Sequence, residues 1–212
     1  MASKPESILV TGGAGFIASH LCEALLSEGA NLVVIDDFND FYDPAIKRSN
    51  IAGFRDRIQL VEGDIRDEAL VNELFAARAG VRPSIEDPRL YFTTNIDGTF
   101  NLLDACRHHG SPRFIFASSS SVYGINRKVP FAESDAIERT ISPYAATKIA
   151  GEQICSNYAH LFGVRCACLR FFTVYGPRQR PDLAIAKFTR AIREGEAIDR
   201  YGDGSTARDY TY

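Results

Sequence analysis

The stretch TGGAGFIA at residues 11–18 decides the fold class of this 212-residue chain. It follows a short apolar run at residues 8–10 and precedes a pattern of apolar residues at helical spacing. Gly12 permits a tight turn. Gly15 lets a pyrophosphate approach the backbone at a helix start, where free N–H groups and the helix dipole favour negative charge. A strand, a glycine turn and a helix in this order predict a dinucleotide-binding site rather than an ordinary flexible turn.

An acidic residue, Asp36, ends the next buried run at residues 32–35. It lies about 20 residues beyond the glycine turn, where a carboxylate binds the 2′-hydroxyl of an adenosine ribose. The same carboxylate would repel a 2′-phosphate. The sequence therefore favours NAD over NADP as the cofactor.

Strand-like and helical patterns alternate along the rest of the chain. Further strands are predicted at residues 58–61, 114–117 and 164–172, and helices at residues 44–53, 67–77, 90–109, 143–162 and 183–194. This alternation predicts an α/β fold with a doubly wound, Rossmann-like parallel sheet. We assign residues 1–164 to a dinucleotide-binding domain, and residues 165–212 to the last sheet strand and the beginning of a substrate region.

Two helices follow one another between residues 67 and 109, where the alternation calls for a strand between them. We therefore expect that one central strand is missing near residues 75–77. The chain also stops at Tyr212 inside what reads as an unfinished element. We expect the substrate region to be incomplete at the C-terminus.

The composition limits the classes of function. The chain has 24 basic and 27 acidic residues, a net charge of −3 and 45% hydrophobic residues, which argues against disorder and against a nucleic-acid binder. No apolar run approaches the roughly 18 residues of a membrane span, and the start lacks the apolar core of a signal peptide. The five cysteines and four histidines show no metal-site spacing, so we expect reduced, mostly buried thiols, no metal and a cytosolic location.

The stretch SPYAATK at residues 142–148 carries a candidate catalytic pair. Tyr144 and Lys148 are four residues apart and share one face of a helix, so a nearby ammonium is expected to lower the pKa of the tyrosine and make it a usable base. The serines at residues 118–121 follow a strand at the carboxyl edge of the sheet, where a hydroxyl can face this tyrosine. Without those serines, an unrelated surface Tyr and Lys would be the better interpretation.

A third cluster, RFFTVYGPRQRPD at residues 170–182, places three arginines in a loop interrupted by Gly and Pro. Arginine binds diphosphates and carboxylates through paired N–H donors, so the loop suits an anionic substrate. A solvated basic loop is an equal alternative for any one of these arginines.

Together these motifs resemble the extended short-chain dehydrogenases/reductases, specifically the NAD-dependent sugar-nucleotide epimerase/dehydratase family, over the whole chain. Within that family the chain is most similar to UDP-glucuronate 4-epimerases, through FNDFYDP at residues 38–44, RAGVRPS at residues 78–84 and the run at residues 170–182. Two features depart from the family pattern. Ala18 replaces a more usual glycine, and the strand before Ala76, with its His-x-Ala-Ala-like cofactor contact, is missing.

The resemblance implies roles for individual residues. Tyr144 and Lys148 would be the catalytic pair, with Ser119 as the third member and Lys148 also holding the nicotinamide ribose. The positions that match cofactor contacts are Gly12, Gly15, Phe16, Ile17, Asp36, Asp64, Ile65 and Asn95. The positions that match the nucleotide-sugar site are Arg82, Ser84, Thr173, Arg178, Arg180 and Arg208, with Arg180 the candidate for a uronate carboxylate.

The resemblance further implies epimerisation at C4 of a nucleotide sugar, UDP-glucuronate or UDP-galacturonate, through a 4-keto intermediate. It also implies a homodimer formed through the helix that carries the Tyr–Lys pair and its neighbour. Three alternatives stay open: another sugar-nucleotide epimerase or 4,6-dehydratase, an NAD(P)H reductase, and an inactive NAD-binding fragment. Ser120 and Ser121 disfavour the dehydratase, because that subfamily places an Asp-Glu pair there.

Overall fold

The computed structural model describes residues 7–75, 88–110, 113–137, 139–198, 203 and 209–212. The strands are β1 (Ser7–Thr11), β2 (Asn31–Asp36), β3 (Ile58–Glu62), β4 (Arg113–Ser119), β5 (Arg165–Phe171), β6 (Thr173–Val174) and β7 (Tyr210–Thr211). The helices are α1 (Phe16–Ser27), α2 (Pro44–Ile51), α3 (Glu68–Phe75), α4 (Pro88–Phe92), α5 (Gly98–His108), α6 (Pro143–Phe162) and α7 (Ala184–Glu194). Residues 76–77, Arg82, Ser84 and Arg208 lie outside the described part.

All described strand pairs are parallel, as the alternation of strands and helices predicts. β2 lies between β1 and β3, β4 pairs with β5, and the two-residue strands β6 and β7 form a separate pair. The expected single sheet is not continuous within the described residues, because β1 and β4 share no backbone pairing. Among the described strands, β1 pairs with β2 alone.

Helix α5 holds the two main groups of strands together. Leu102 is buried with Ile35 of β2 and Ile65, whereas the adjacent Leu103 is buried with Phe116 of β4. Residues of α6 complete the second cluster, and α1 and α2 pack on the opposite side of β1 and β2. In the part of the chain that the structure describes, the packing of α5 connects the β1–β3 group with β4 and β5.

The sequence predicts one long helix over residues 90–109, and the structure has helical backbone without a break over residues 88–108, with a π-helical turn in its middle. A π-helical turn, Thr93–Asp97, separates α4 from α5. Such turns admit one extra residue per hydrogen-bonded ring and occur frequently at functional sites. Asn95 lies in this turn and is buried.

The cysteines agree with the expectation of unpaired, mostly buried thiols. Cys22, Cys106 and Cys155 are buried, Cys166 and Cys168 are partly buried, and all five are free. Among the described residues, no group of His, Cys, Asp and Glu could hold a metal ion. No helix in the same ranges is long and apolar enough to cross a membrane.

Candidate active site

The glycine turn has the geometry that the sequence predicts. Gly12 has a φ of 57°, in the left-handed region that glycine tolerates, and its carbonyl accepts the Gly15 N–H at 2.8 Å. A Cβ at Gly15 would lie 2.9 Å from that carbonyl oxygen, so the turn excludes a larger residue there. Helix α1 then begins with Phe16 and the partly exposed Ile17, and the Gly15 cap offers no side chain to its first amides. These amides suit a phosphate group.

The Asp36 carboxylate connects the second strand to this turn. It is buried, and it accepts hydrogen bonds from Ala14 N at 3.2 Å and from Phe38 N at 3.0 Å. Burial raises the pKa of Asp36, and the nearby Lys47 ammonium partly opposes this. The carboxylate is therefore fixed at the carboxyl end of β2, where a ribose hydroxyl would donate to it.

Two residues of this region were missed by the sequence analysis. Lys47 Nζ lies 3.0 Å from Asp36 Oδ1 and 3.3 Å from Asp37 Oδ1, and Asn50 Nδ2 donates to the Ala14 carbonyl at 2.9 Å. Both are buried on one face of α2. Their spacing of three residues was the available signal, because polar side chains on a helix face that packs inward need polar partners.

The predicted cofactor positions Asp64 and Ile65 lie at the same cleft. Burial opposes ionisation of Asp64, but hydrogen bonds from Arg66 outweigh it and lower the pKa of the carboxyl. Ile65 is buried beneath Gly98, where an added Cβ would come within 2.4 Å of it. The cleft is lined by Gly12, Ile35, Asp36, Asp37, Gly63, Asp64, Ile65 and Thr94.

The three predicted catalytic residues come together between β4 and α6. Ser142 caps α6 by accepting the Ala145 N–H at 3.2 Å, with Pro143 in the first turn. This cap starts the helix where Tyr144 lies close enough to Ser119 for that hydroxyl to lower the pKa of Tyr144. The Ser119 hydroxyl itself donates to Ser121 Oγ at 3.1 Å. Lys148, one turn further on, donates to the Ala117 carbonyl at 2.8 Å.

The expected effect of Lys148 on Tyr144 is wrong for this structure. Burial raises the pKa of Tyr144, and the nearby Ser119 hydroxyl only partly offsets it. Lys148 Nζ lies 5.6 Å from the centre of the Tyr144 ring, and burial lowers the pKa of this lysine to about 8. The ammonium is directed at a backbone carbonyl, so the spacing of four residues predicts a shared face but not a direct pair.

Asn95 supports the catalytic helix from the π-helical turn. Its Nδ2 donates to Thr147 Oγ1 at 2.9 Å, and Thr147 donates to the Tyr144 carbonyl at 2.8 Å. The Oδ1 atom of Asn95 is buried and has no hydrogen-bond partner among the described residues. An acceptor left open beside the Tyr–Lys helix is suited to a ligand donor.

Among the residues predicted to bind the substrate, Arg180 is buried, which is rare for an arginine side chain. Its Nε and Nη2 atoms bind the Asp182 carboxylate at 2.8 and 2.6 Å, and its guanidinium lies 5.3 Å from the centre of the Phe41 ring. Within the described residues, the buried Nη1 atom has no partner. Thr173 is nearby in sequence, in β6, where it pairs with Tyr210.

Arg178 is engaged elsewhere. It has a φ of 64°, and its guanidinium binds the Glu23 carboxylate of α1 through two bonds of 2.9 Å. This pair attaches the loop to the helix that follows the glycine turn. Contact of Arg178 with a substrate through Nη1 and Nη2 would require release of Glu23.

A cavity of about 540 Å³ lies beside this loop, and it includes none of the predicted catalytic residues. It is lined by Tyr175, Gly176, Arg178, Gln179, Ile185, Ala186, Thr189, Arg190, Arg193 and Glu194.

The fold and the glycine turn are those of the dinucleotide-binding class of proteins, and Ser119, Tyr144 and Lys148 gather where β4 meets α6. The profile of the NAD dependent epimerase/dehydratase family matches residues 8–212, and the chain belongs to this family. Its Rossmann-like α/β fold is that of the family, because the crystal structure of UDP-glucuronic acid 4-epimerase from Bacillus cereus, in complex with UDP-glucuronic acid and NAD, superimposes with a TM-score of 0.88. That protein is 38% identical, and the match covers 97% of this chain and 69% of the other.

Two further proteins show the same relationship. UDP-glucuronate 4-epimerase 3 of Arabidopsis thaliana is 47% identical over 222 residues, which cover 97% of this chain and 52% of the relative. The UDP-glucose 4-epimerase of Thermotoga maritima, solved with UDP-glucose, is 32% identical with a TM-score of 0.85, covering 97% of this chain and 69% of that one. The chain thus spans about half the length of the Arabidopsis relative. The alignment with that relative is also longer than this 212-residue chain, so the relative carries residues that this chain lacks.

Proposed function

We propose that this protein is an NAD-dependent 4-epimerase that interconverts UDP-glucuronate and UDP-galacturonate. The observation that carries the proposal is the grouping of Ser119, Tyr144 and the buried Lys148 where β4 meets α6. The named activities of the Arabidopsis and Bacillus relatives support the choice of reaction and sugar.

The described residues fit NAD. The Gly12–Gly15 turn and the uncapped start of α1 would hold the pyrophosphate, and Asp36 would accept the ribose hydroxyls. The buried Lys148 would hold the nicotinamide ribose. When bound, NAD+ supplies a reversible acceptor for the hydride at C4 of the sugar.

The chain's own groups would move the proton. Tyr144, as phenolate, takes the proton of the C4 hydroxyl, and Ser119 donates to the same oxygen as it becomes a carbonyl. The 4-keto sugar then turns within the site, and the protonated Tyr144 returns its proton to the oxygen of the new configuration. Because burial raises the pKa of Tyr144 here, we expect ligand binding to bring the positive charge that favours its phenolate.

Arg180 supports a uronate as the sugar. The buried Nη1 of Arg180, which has no hydrogen-bond partner among the described residues, can donate to a carboxylate. Phe41 and Asp182 hold this guanidinium in place. Thr173 stays a proposed sugar contact, as do Arg82, Ser84 and Arg208.

The decisive experiment is a turnover assay with purified protein, NAD and UDP-glucuronate. We expect UDP-galacturonate to appear without net NADH formation, and we expect UDP-glucose to react more slowly. Formation of a dehydrated 4-keto-6-deoxy sugar from a dTDP- or UDP-hexose would contradict the proposal. Consumption of added NADH would favour a reductase instead.

A second candidate function is NAD binding without turnover. The observation that favours it is the absence of pairing between β1 and β4 within the described residues, at the edge where cofactor and sugar meet. Protein that retains NAD during purification but converts none of the UDP-sugars would support this candidate.

We also propose a homodimer and a cytosolic location. Phe100 of α5 and Leu161 and Phe162 of α6 are 49%, 64% and 42% exposed, so apolar side chains cover the outer surface of the helix pair that the family resemblance assigns to dimerisation. Light scattering of the purified protein tests the dimer. The five free cysteines suit a reducing compartment.

A further inference from the structure

Helix α6 carries a third functional residue in line with the Tyr–Lys pair. Tyr144, Lys148 and Glu152 follow one another at four-residue spacing, so they share one face of the helix. Lys148 donates to the Ala117 carbonyl at 2.8 Å, Glu152 Oε1 accepts the Ser118 hydroxyl at 2.5 Å, and Tyr144 lies beside Ser119. Two successive residues of β4 are thus held by hydrogen bonds from this helix face, and the next residue, Ser119, lies at Tyr144.

Glu152 also binds the neighbouring strand. Arg170 of β5 donates to it through Nε at 3.0 Å and through Nη2 at 2.8 Å. The parallel register places Arg170 directly beside Ser118, so one carboxylate joins two adjacent strands to the catalytic helix. The side chains of Glu152 and Arg170 are only 10% and 17% exposed.

The carboxylate of Glu152 is charged in this position. Burial opposes its ionisation, but hydrogen bonds from Arg170 and Ser118 outweigh burial and lower the pKa of Glu152. The guanidinium of Arg170 in turn lies 5.0 Å from the centre of the Tyr123 ring, which stacks on Phe131. The network therefore reaches the turn that directly follows Ser119.

We propose that Glu152 is a positioning residue, which fixes Ser118 and so holds the Ser119 hydroxyl at Tyr144. This inference rests on the proposed epimerase function. Glu152 acts through Ser118 and Arg170 rather than on the substrate. Its effect follows from geometry, since a displacement of about 1 Å in a catalytic group can cost about a hundredfold in rate.

The test compares kcat, KM and melting temperature in Ser118→Ala, Glu152→Gln and Glu152→Ala. Ser118→Ala removes one hydroxyl and leaves the Glu152–Arg170 ion pair, so we expect kcat to fall by about tenfold or more with little change in melting temperature or in KM for the UDP-sugar. Glu152→Gln keeps an acceptor for Ser118 and should retain more activity than Glu152→Ala. The matched control is Glu62→Gln, which breaks the exposed two-bond pair with Arg48 and should leave kcat unchanged.

A purely structural role would give a different pattern. Melting temperature would fall in the Glu152 variants, kcat per folded molecule would stay within threefold of the parent, and Ser118→Ala would be fully active. That pattern would overturn the proposal.

A second readout separates this proposal from the assigned reaction. If the parent converts no UDP-sugar, the proposed function fails. The titration of Tyr144 then still tests whether Glu152 positions Ser119. Ultraviolet titration with and without Tyr144→Phe isolates this tyrosine from the others, including Tyr91, whose ring centre lies 5.8 Å away. Displacement of Ser119 from Tyr144 in Ser118→Ala should raise the titration midpoint of Tyr144, because the Ser119 hydroxyl lowers the pKa of this tyrosine. An unchanged midpoint of Tyr144 in both Ser118→Ala and Glu152→Ala would refute the positioning role.

Discussion

Lys148 donates its hydrogen bond to the Ala117 carbonyl at 2.8 Å, and its ammonium lies 5.6 Å from the centre of the Tyr144 ring. The lysine therefore ties the catalytic helix to the end of β4 before any ligand binds. Burial lowers its pKa to about 8, so the charged form is costly in the folded chain. Lys148 thus has two separate possible roles. It attaches α6 to β4 through the Ala117 carbonyl, and it can supply positive charge near Tyr144.

Tyr144→Phe removes only the ionisable oxygen at the reacting position. We expect epimerisation to be lost while the affinity for NAD changes by less than about threefold, because no proposed cofactor contact is removed. Sugar interconversion followed by chromatography, together with an NAD titration, checks both statements. Activity within threefold of the parent would refute the role of Tyr144. Tyr175→Phe is a suitable control, since Tyr175 lies in the loop beside α7.

Lys148→Met should raise stability at neutral pH although it removes activity. The pKa of Lys148 is lowered from its ordinary value to about 8 in the folded chain. Between about pH 8 and the pKa of lysine in the unfolded chain, the unfolded chain therefore binds more protons than the folded chain. The free energy of unfolding therefore rises with pH through that window. Below about pH 8, the cost of burying the charged lysine is fully present. We expect the melting temperature of Lys148→Met to exceed that of the parent at pH 7, with a smaller difference at pH 9.5. A lower melting temperature at pH 7, or a difference independent of pH, would contradict this assignment.

Part of the candidate site can be predicted from local sequence spacing alone. The glycine turn, Asp36 and the pair of Tyr144 and Lys148 follow from spacing along single elements, and spacing sets which residues share a face. The raised pKa of Tyr144 could not be predicted, because it depends on how deeply α6 packs against β4. The contact of Glu152 with Arg170 requires the register between two strands that are far apart in sequence.

The same limit applies to the cofactor site. The spacing of Lys47 and Asn50 indicates a shared polar face of α2 but not that this face packs against the glycine turn and Asp36, where both side chains form hydrogen bonds. The π-helical turn at Thr93–Asp97 lacks a local signal as well, since no glycine or proline lies within it. Tertiary packing, rather than local preference, determines these features.

Asp36→Ala should reduce the preference for NAD over NADP. The change removes the acceptor for the ribose 2′-hydroxyl and leaves the Lys47 ammonium, 3.0 Å from the former carboxylate, available to a 2′-phosphate. We expect NAD affinity to fall by about tenfold or more and NADP affinity to fall less or to rise. Titration of both cofactors measures the preference. The double variant Asp36→Ala with Lys47→Met serves as the control, because it should lose any gain in NADP affinity.

Arg180→Gln should affect uronate substrates selectively. The open Nη1 atom of Arg180 is the proposed carboxylate donor, so its removal should raise KM for UDP-glucuronate by about tenfold or more, while KM for UDP-glucose changes little. Initial rates with both sugars provide the measurement and an internal control. An equal loss with the two sugars would show that Arg180 maintains the site through Asp182 rather than selecting a carboxylate.

Restoring a strand beside β1 should increase both stability and turnover. The sequence predicts that a central strand is missing near residues 75–77, and in the described part β1 pairs with β2 but not with β4. A strand with one partner leaves half of its backbone groups without a ladder, and buried backbone groups need hydrogen bonds. The relative position of β1 and β4 also sets the distance between the glycine turn and Ser119, so looseness there should reduce the rate. We would insert the corresponding segment of the Arabidopsis relative at residues 75–77 and compare the melting temperature and kcat of the two proteins. The inserted strand should raise both. Equal melting temperature and equal turnover in the two proteins would refute the prediction and would show that the arrangement of the two groups of strands is already competent without it.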